Sequence, residues 1–456
     1  MVIMKKTDMT RGNPMRMIFA FAAPLLLGNI FQHMYNVIDS TIVGRFIGAQ
    51  ALAATGAPGS VLSLMMCLCM GLTSGAGIII AQCYGAKNYD TLRSTIGTLI
   101  TVLSILTGIL MFIGTAVAVP VLRLINVPEN ILRDASIYMK IFMLATPFTM
   151  LYNFCSSLMR SIGDSRTPLV VLIISSFLNI GLDLLFITVF NWGVTGAALA
   201  TGLAQAVSAG VCLSAVYRKR HELHIDSIKA EFVPNSALLI FKTGVPTAMQ
   251  SCMISLGTLA VRSLINSFGA SAMAAYTATT NIDSLAIMVV VSMGMALSVY
   301  SGQNIGAGQI SRIRQTLNKT LAAVLGYCAV IGLIMLFFGQ NLVSLFLDPK
   351  EAAEAVAIGS QYLKIIGSAY VMAGIMRCYL NVIQGAGDTN ISMLTGAVEL
   401  ATRIIASYAL VKPFGLTGLW IAIPISWGCG SIVPLLRYYS GKWTEKRLVA
   451  FQYKTS

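Results

Sequence analysis

Twelve times along this chain, twenty or more residues run almost free of charge, at roughly 15–44, 51–83, 91–123, 133–160, 167–190, 193–217, 237–266, 272–305, 315–346, 355–384, 391–412 and 415–438. A helix needs about 20 apolar residues to cross the hydrocarbon of a bilayer. Only helices and closed barrels satisfy all their backbone polar groups there. Charged residues make up 11% of the chain and hydrophobic ones 56%, far from the roughly 25% charge that covers a soluble domain. The expected fold class is therefore an all-α polytopic membrane protein with twelve transmembrane helices. The opening residues Met1 to Met17 are polar and lead straight into the first span, unlike a cleaved signal peptide, which carries a short apolar core and a small-residue cleavage site.

The net charge of +14 is explained first by topology. With both termini on one side, the tails and even-numbered loops carry 21 basic residues and the odd-numbered loops 5. The positive-inside rule then puts both ends in the cytoplasm. No basic patch interleaved with aromatics is present, so nucleic acid is not an expected partner. The nine cysteines lie in or beside apolar spans, and Cys67 and Cys69 have no further ligand at metal-binding spacing; no metal or cofactor is expected. His221 and His224 fall in a loop and His33 stands alone on span 1. Nothing resembles a catalytic set or a phosphate-binding loop. The expectation is a transporter rather than an enzyme, driven by an ion gradient rather than directly by ATP.

An internal repeat organises the spans. Trp192-Gly193-Val194-Thr195-Gly196 recurs as Phe414-Gly415-Leu416-Thr417-Gly418, and Gly163-Asp164-Ser165 as Gly387-Asp388-Thr389. Gly48-Ala49-Gln50 recurs as Gly269-Ala270-Ser271, and Gln82-x-x-Gly85-Ala86 as Gln303-x-x-Gly306-Ala307, all at offsets of 221 to 224. Duplicated halves are common in transporters. The expected domains are a six-helix bundle over 1–217, a cytoplasmic linker over 218–236 containing Arg218-Lys219-Arg220, and a second six-helix bundle with a short basic tail over 237–456. An even number of spans per copy makes the bundles pseudo-symmetric about the membrane normal, around a central cavity suited to alternating access.

Several motifs carry a family resemblance: Pro24 and Asp39, Gly48-Ala49-x-Ala51-Leu52-Ala53-Ala54, Gly163-Asp164-x-x-Thr167-Pro168, Asn179-x-x-x-Asp183, Gly193-Val194-x-Gly196-Ala197-Ala198 and Gln303-Asn304-x-Gly306-Ala307-Gly308. In order and spacing over the whole chain they resemble the multidrug and toxic compound extrusion (MATE) transporters. The resemblance implies secondary active efflux of organic, often cationic and amphipathic, compounds across the plasma membrane in exchange for H⁺ or Na⁺.

Ionisable residues inside spans are costly and are functional candidates by default. The acids are Asp39, Asp183, Asp283 and Glu399; the bases are Lys140, Arg262, Lys364, Arg377 and Arg403. Gln32, Tyr35, Asn36 and Asp39 follow the i, i+3, i+4, i+7 pattern and share one face of span 1, and Asn179 and Asp183 share a face of span 5. Two carboxylates without a nearby base suit proton or cation exchange. By resemblance to the DinF-like branch, Asp39, Asn179, Asp183 and Thr201 correspond to the cation-coupling network, and Gln32, Tyr35 and Asn153 to the substrate cavity. Pro24 removes a backbone hydrogen bond and marks a bend that protonation could drive; alternatively it sits in the helix's first turn.

The second half departs from the first. At the repeat offset Asp39 is matched by Ala260 and Asp183 by Ser407. Glu399 and Arg403, four apart with the acid first, read as an internal ion pair that is structural or gates. Asp283, near the start of span 8, reads as cavity wall or helix cap, and Arg262 and Arg377 as further polar or gating candidates. The NorM-like branch couples sodium through acids in spans 7 and 10, and this chain has none there. The 24 methionines mostly fill helix interfaces, with a Met-lined cavity for varied ligands as the alternative. The three intramembrane arginines Arg262, Arg377 and Arg403 keep a second function open, a flippase for lipid or polysaccharide precursors. The expected partners are small organic substrates and the bilayer, with the chain acting as a monomer.

Overall fold

The computed structural model describes residues 8–221, 225, 231–348, 352–446 and 448; His224 and part of the 218–236 linker lie outside them. It is nearly all helix. The first half comprises α1 (Pro14–Phe46), α2 (Ala49–Gly56), α3 (Gly59–Ala86), α4 (Tyr89–Ala116), α5 (Ala118–Leu124), α6 (Glu129–Ser161), α7 (Arg166–Leu184) and α8 (Gly193–Arg218). The second comprises α9 (Pro234–Asn266), α10 (Ala270–Gly306), α11 (Ile310–Ser344), α12 (Ala353–Gly385), α13 (Thr389–Phe414) and α14 (Leu416–Tyr439). Twelve helices among the described residues are long and apolar enough to span a membrane, α2 and α3 counting as one.

Two interruptions have local causes. Pro58 lies between α2 and α3, where its missing N–H lets the helix restart with Leu62 N–H donating to the Pro58 carbonyl. The stretch expected as one span over 91–123 ends at Ala116, because Pro120 can neither donate to nor sit against that carbonyl; α5 restarts after Val117. A third irregularity is a π-helical turn, Leu185–Val189, directly after Asp183 and Leu184. Such turns widen a helix locally and recur at functional sites.

The repeat is built into the backbone. Gly48 and Gly269 (φ 114° and 94°), Gly163 and Gly387 (93° and 94°), and Gly193 and Gly415 (54° and 56°) are matched pairs with positive φ. L-residues rarely adopt that conformation, so both copies turn at the same places. In the first half α6 packs against α8, α4 and α2; in the second α12 packs against α11, α10 and α14. Close approach relies on small residues, since lipid supplies no hydrophobic drive between helices. At the α11–α12 crossing a Cβ on Gly332 would stand 2.4 Å from the Gly367 carbonyl oxygen.

The described chain gathers into two compact units, and the boundary is not the linker alone. Residues Ala23–Tyr84 and Asn88–Phe241 belong to the first unit; Met9–Ala22, Gly85–Lys87 and Lys242 onward belong to the second. Each half's opening helix is therefore divided, α1 just before Pro24 and α9 shortly before Pro246. These prolines are 222 residues apart, the repeat offset. Within the second unit, the Met9 N–H donates to Gln303 Oε1 (3.1 Å), Asn304 Nδ2 donates to the Met9 carbonyl (3.0 Å) and Arg312 Nη2 to the Gly12 carbonyl (2.8 Å). Within the first, the Val233 N–H donates to Thr98 Oγ1 (3.1 Å), and the Ser94 and Ser236 hydroxyls meet at 3.1 Å.

Matched clasps close each half. Lys219, after α8, donates to Asp164, and Arg437, at the end of α14, donates to Asp388 at 2.6 Å. The Thr167 hydroxyl and N–H also donate to Asp164, at 2.6 and 3.0 Å. Burial pushes the Asp164 carboxyl up, but these hydrogen bonds and the Lys219 charge outweigh it and hold the group below its ordinary range. A depressed carboxylate adds stability above its ordinary pKa, lost as pH falls through the folded value. Asp164→Ala is expected to destabilise the purified protein at pH 7 by about 1.5–3 kcal/mol, the contribution of a charged hydrogen-bonded group, and so lower its thermal midpoint, with the difference from wild type shrinking as pH falls below about 4. Melting curves across pH check this.

Candidate functional site

Span 1 brings one polar face into the first unit. Along α1, Gln32, Tyr35, Asn36 and Asp39 lie on successive turns, and Gln32 Nε2 donates to Asn36 Oδ1 at 3.3 Å. Gln32 and Asn36 are exposed, while Tyr35 and Asp39 are half-buried. Pro24 is the eleventh residue of α1, so the first-turn reading of this proline is excluded and a break in the hydrogen-bond ladder lies inside the span.

The acid pair forms at the far end of that face. The Asp39 and Asp183 carboxyl groups come within interaction range of each other, and two such acceptors hydrogen-bond only when one of them carries a proton. Asn179 is oriented by its neighbours, its Nδ2 donating to Asp183 Oδ2 at 2.7 Å and its oxygen accepting from the Thr201 N–H at 3.2 Å. The Tyr35 hydroxyl hydrogen-bonds Thr201. Asp183 and Asn179 are 0% and 1% exposed, so water supplies no general screening. Asp39 Oδ1 and Asp183 Oδ1 are buried with no partner among the described residues. Unsatisfied carboxyl oxygens in a dry site are acceptors for a proton or a small cation.

The structure thus unites Asp39, Asn179, Asp183, Thr201 and Tyr35. Asn153 is buried on α6 but lies fifteen residues, about 22 Å of helix, beyond Tyr138. Tyr138 faces both carboxyls and was not signalled in the sequence, because it belongs to no polar stripe at helical spacing on its span. Gln205, one turn beyond Thr201 on α8, buries an unpartnered Oε1; its i+4 spacing from Thr201 was the available signal. Among the described residues no group of three or more His, Cys, Asp or Glu could hold a metal ion.

The second unit has its own polar cluster. Arg403 Nη2 donates to Glu399 Oε1 at 2.6 Å, and Arg403 Nε donates to Ser426 Oγ at 3.2 Å. Both charged residues are buried, 7% and 4% exposed. Asp283 is the fourteenth residue of α10, so a helix-cap role is excluded; it accepts from the Tyr370 hydroxyl at 3.1 Å. Tyr276, Tyr362 and Trp420 form an aromatic group beside it, with Tyr276 and Trp420 stacked at 5.9 Å. Arg262 is exposed on α9 and Arg377 half-buried on α12.

With both clusters placed, the relationship to known proteins follows. The MatE family model matches residues 24–185 and 246–409, one block in each half. The chain belongs to the MatE family. This MatE protein is 30% identical over 456 residues to the probable multidrug resistance protein YpnP of Bacillus subtilis, covering 98% of this chain and 99% of the relative. It is 28% identical over 445 residues to the probable multidrug resistance protein YoeA of the same organism, covering 95% of each. Its fold matches the crystal structure of the Vibrio cholerae MATE transporter VcmN in the bent form with a TM-score of 0.86 at 22% identity, over 95% of this chain and 98% of that one. The family is one of transporters, not enzymes.

The MatE chain's buried Glu399–Arg403 pair gives a stability test. Glu399→Ala alone strands a buried guanidinium, at about 3–5 kcal/mol, whereas replacing both members by apolar residues is near neutral or stabilising. Thermal unfolding of the single and double variants should show that order.

Proposed function

We propose that this MatE chain is a secondary active exporter of organic, often cationic and amphipathic, compounds, driven by antiport of H⁺ or Na⁺ through alternating access. The observation that carries the reading is the adjacent Asp39–Asp183 pair with unpartnered buried oxygens in the first unit. The names of YpnP and YoeA support multidrug substrates. Two ionised carboxylates in a desolvated site repel, so the pair holds a proton or a cation in one state of the cycle and releases it in another. A proton is the preferred ion, since two adjacent carboxyl groups attract each other once one of them is protonated. Asn179, anchored to Thr201, fixes the angle of Asp183.

Coupling to movement runs through α1. Asp39 and Pro24 are on one helix, and the chain changes units between Ala22 and Ala23. Loss of the shared proton breaks the link between α1 and α7, and α1 bends at the proline, where the hydrogen-bond ladder is already open. Both termini face the cytoplasm in this reading, the protein sits in the plasma membrane, and a single chain is the working unit. The flippase alternative loses one of its three arginines, because Glu399 neutralises Arg403.

In proteoliposomes, an imposed pH gradient should drive uptake of ethidium, and Asp39→Asn or Asp183→Asn should each reduce it at least tenfold while the variants still reach the membrane. Uptake driven by sodium alone would replace the proton as coupling ion, and full activity in either variant would remove the pair from the mechanism. Pro24→Ala, which restores the missing N–H, is expected to slow transport several-fold while ethidium binding, followed by fluorescence, is retained.

A further inference from the structure

The repeat places a different chemistry at the second half's copy of the coupling site. Asn179 lies fifteen residues after the clasp aspartate Asp164, and Arg403 lies fifteen residues after the matching clasp aspartate Asp388. Both are on the helix that opens after that turn, α7 or α13, and both bond the helix that follows. Asn179 pairs with Thr201 on α8, and Arg403 with Ser426 on α14. The position matching Thr201 is Ile423, one turn before Ser426, a displacement that suits the longer arginine side chain. The remaining positions change accordingly. Asp39 is matched by Ala260, Asp183 by Ser407 and Ser175 by Glu399. The acid has moved from one turn after the central residue to one turn before it, where it accepts from Arg403 at 2.6 Å.

We propose that Arg403 is a tethered cation: its guanidinium takes, in the second half, the place that the exchangeable cation takes beside Asn179 and Asp183 in the first, with Glu399 as its fixed counter-ion. A guanidinium stays charged under all physiological conditions and cannot leave. The second half is therefore permanently filled, and ion exchange is confined to the first. Other groups facing Arg403 fit this role. Gly257 of α9 leaves room along its side chain, Asp283 of α10 and Tyr276 lie within its electrostatic reach, and Tyr370 holds Asp283 by a hydrogen bond of its own. The arrangement makes Arg403 a determinant of how many ions move per substrate, and it rests on the antiport reading above.

The test is ion binding by the purified full-length chain in lipid nanodiscs, using radioactive sodium and, in parallel, proton uptake followed with a pH dye. In a parent carrying Asp39→Asn and Asp183→Asn, adding Arg403→Gln is expected to create a saturable sodium or proton site above the parent's level. Further addition of Glu399→Gln should abolish it, and Arg403→Lys, which keeps a tethered charge, should create none. Absence of a gain with Arg403→Gln, a gain that survives Glu399→Gln, or a gain with Arg403→Lys would overturn the proposal. If Arg403→Gln does not accumulate, the double variant Glu399→Gln/Arg403→Gln, which removes the buried pair together, answers the same question in proteoliposomes. It is expected to keep the wild-type ratio of ions to substrate whatever its rate, and a changed ratio would overturn the proposal. Failure of the antiport reading itself shows elsewhere, as wild-type ion binding that Asp39→Asn and Asp183→Asn leave unaltered.

Discussion

Two carboxyl groups brought together in a membrane interior are the constraint on which this structure turns. Asp39 and Asp183 come from the first and fifth spans, and among the described residues neither has a base beside it to neutralise its charge. Bringing them together is costly unless a positive charge sits with them. The surrounding groups serve that requirement. Asn179 is held by the Thr201 backbone and directs its amide to Asp183, Tyr35 hydrogen-bonds Thr201, and the helix carrying Asp183 widens into a π turn immediately afterwards.

The two halves share a scaffold and divide the chemistry. Matched glycines with positive φ and matched Asp–base clasps give each half the same turns and the same link between its last two helices. On that common frame the site in the first half sets Asp39 beside Asp183, and the site in the second sets Glu399 beside Arg403. Duplication supplies the geometry, and substitution at a few positions changes the chemistry of the site it holds. The opening helix of each copy is divided between the units near a proline, within one continuous helix rather than at a loop.

Much of this was legible in the sequence. Apolar run length gave the twelve spans, because a bilayer core admits little else. The repeat was visible because its turn glycines cannot be replaced without strain. The polar stripe on span 1, the Asn179–Asp183 face and the Glu399–Arg403 pair followed from helical spacing. What escaped were features set by tertiary placement. Tyr138 belongs to no polar stripe on α6, and only the approach of α6 brings it to the carboxyls. Of the two readings open for Asp283, cavity wall or helix cap, the cap fails because α10 begins at Ala270, well before it. The breaks at Pro58 and Val117 were absorbed into longer apolar runs, since hydropathy is blind to a missing hydrogen bond.

Antiport requires that substrate and ion cannot occupy the protein independently, and the most direct measurement is the ion released when substrate binds. Purified protein in weakly buffered solution is mixed with ethidium while a pH dye reports protons, and the same mixing is repeated with bound radioactive sodium. The account predicts release of a proton, or of sodium, from the wild type and none from a chain carrying Asp39→Asn and Asp183→Asn. Ethidium binding that leaves both ions in place in the wild type would contradict it.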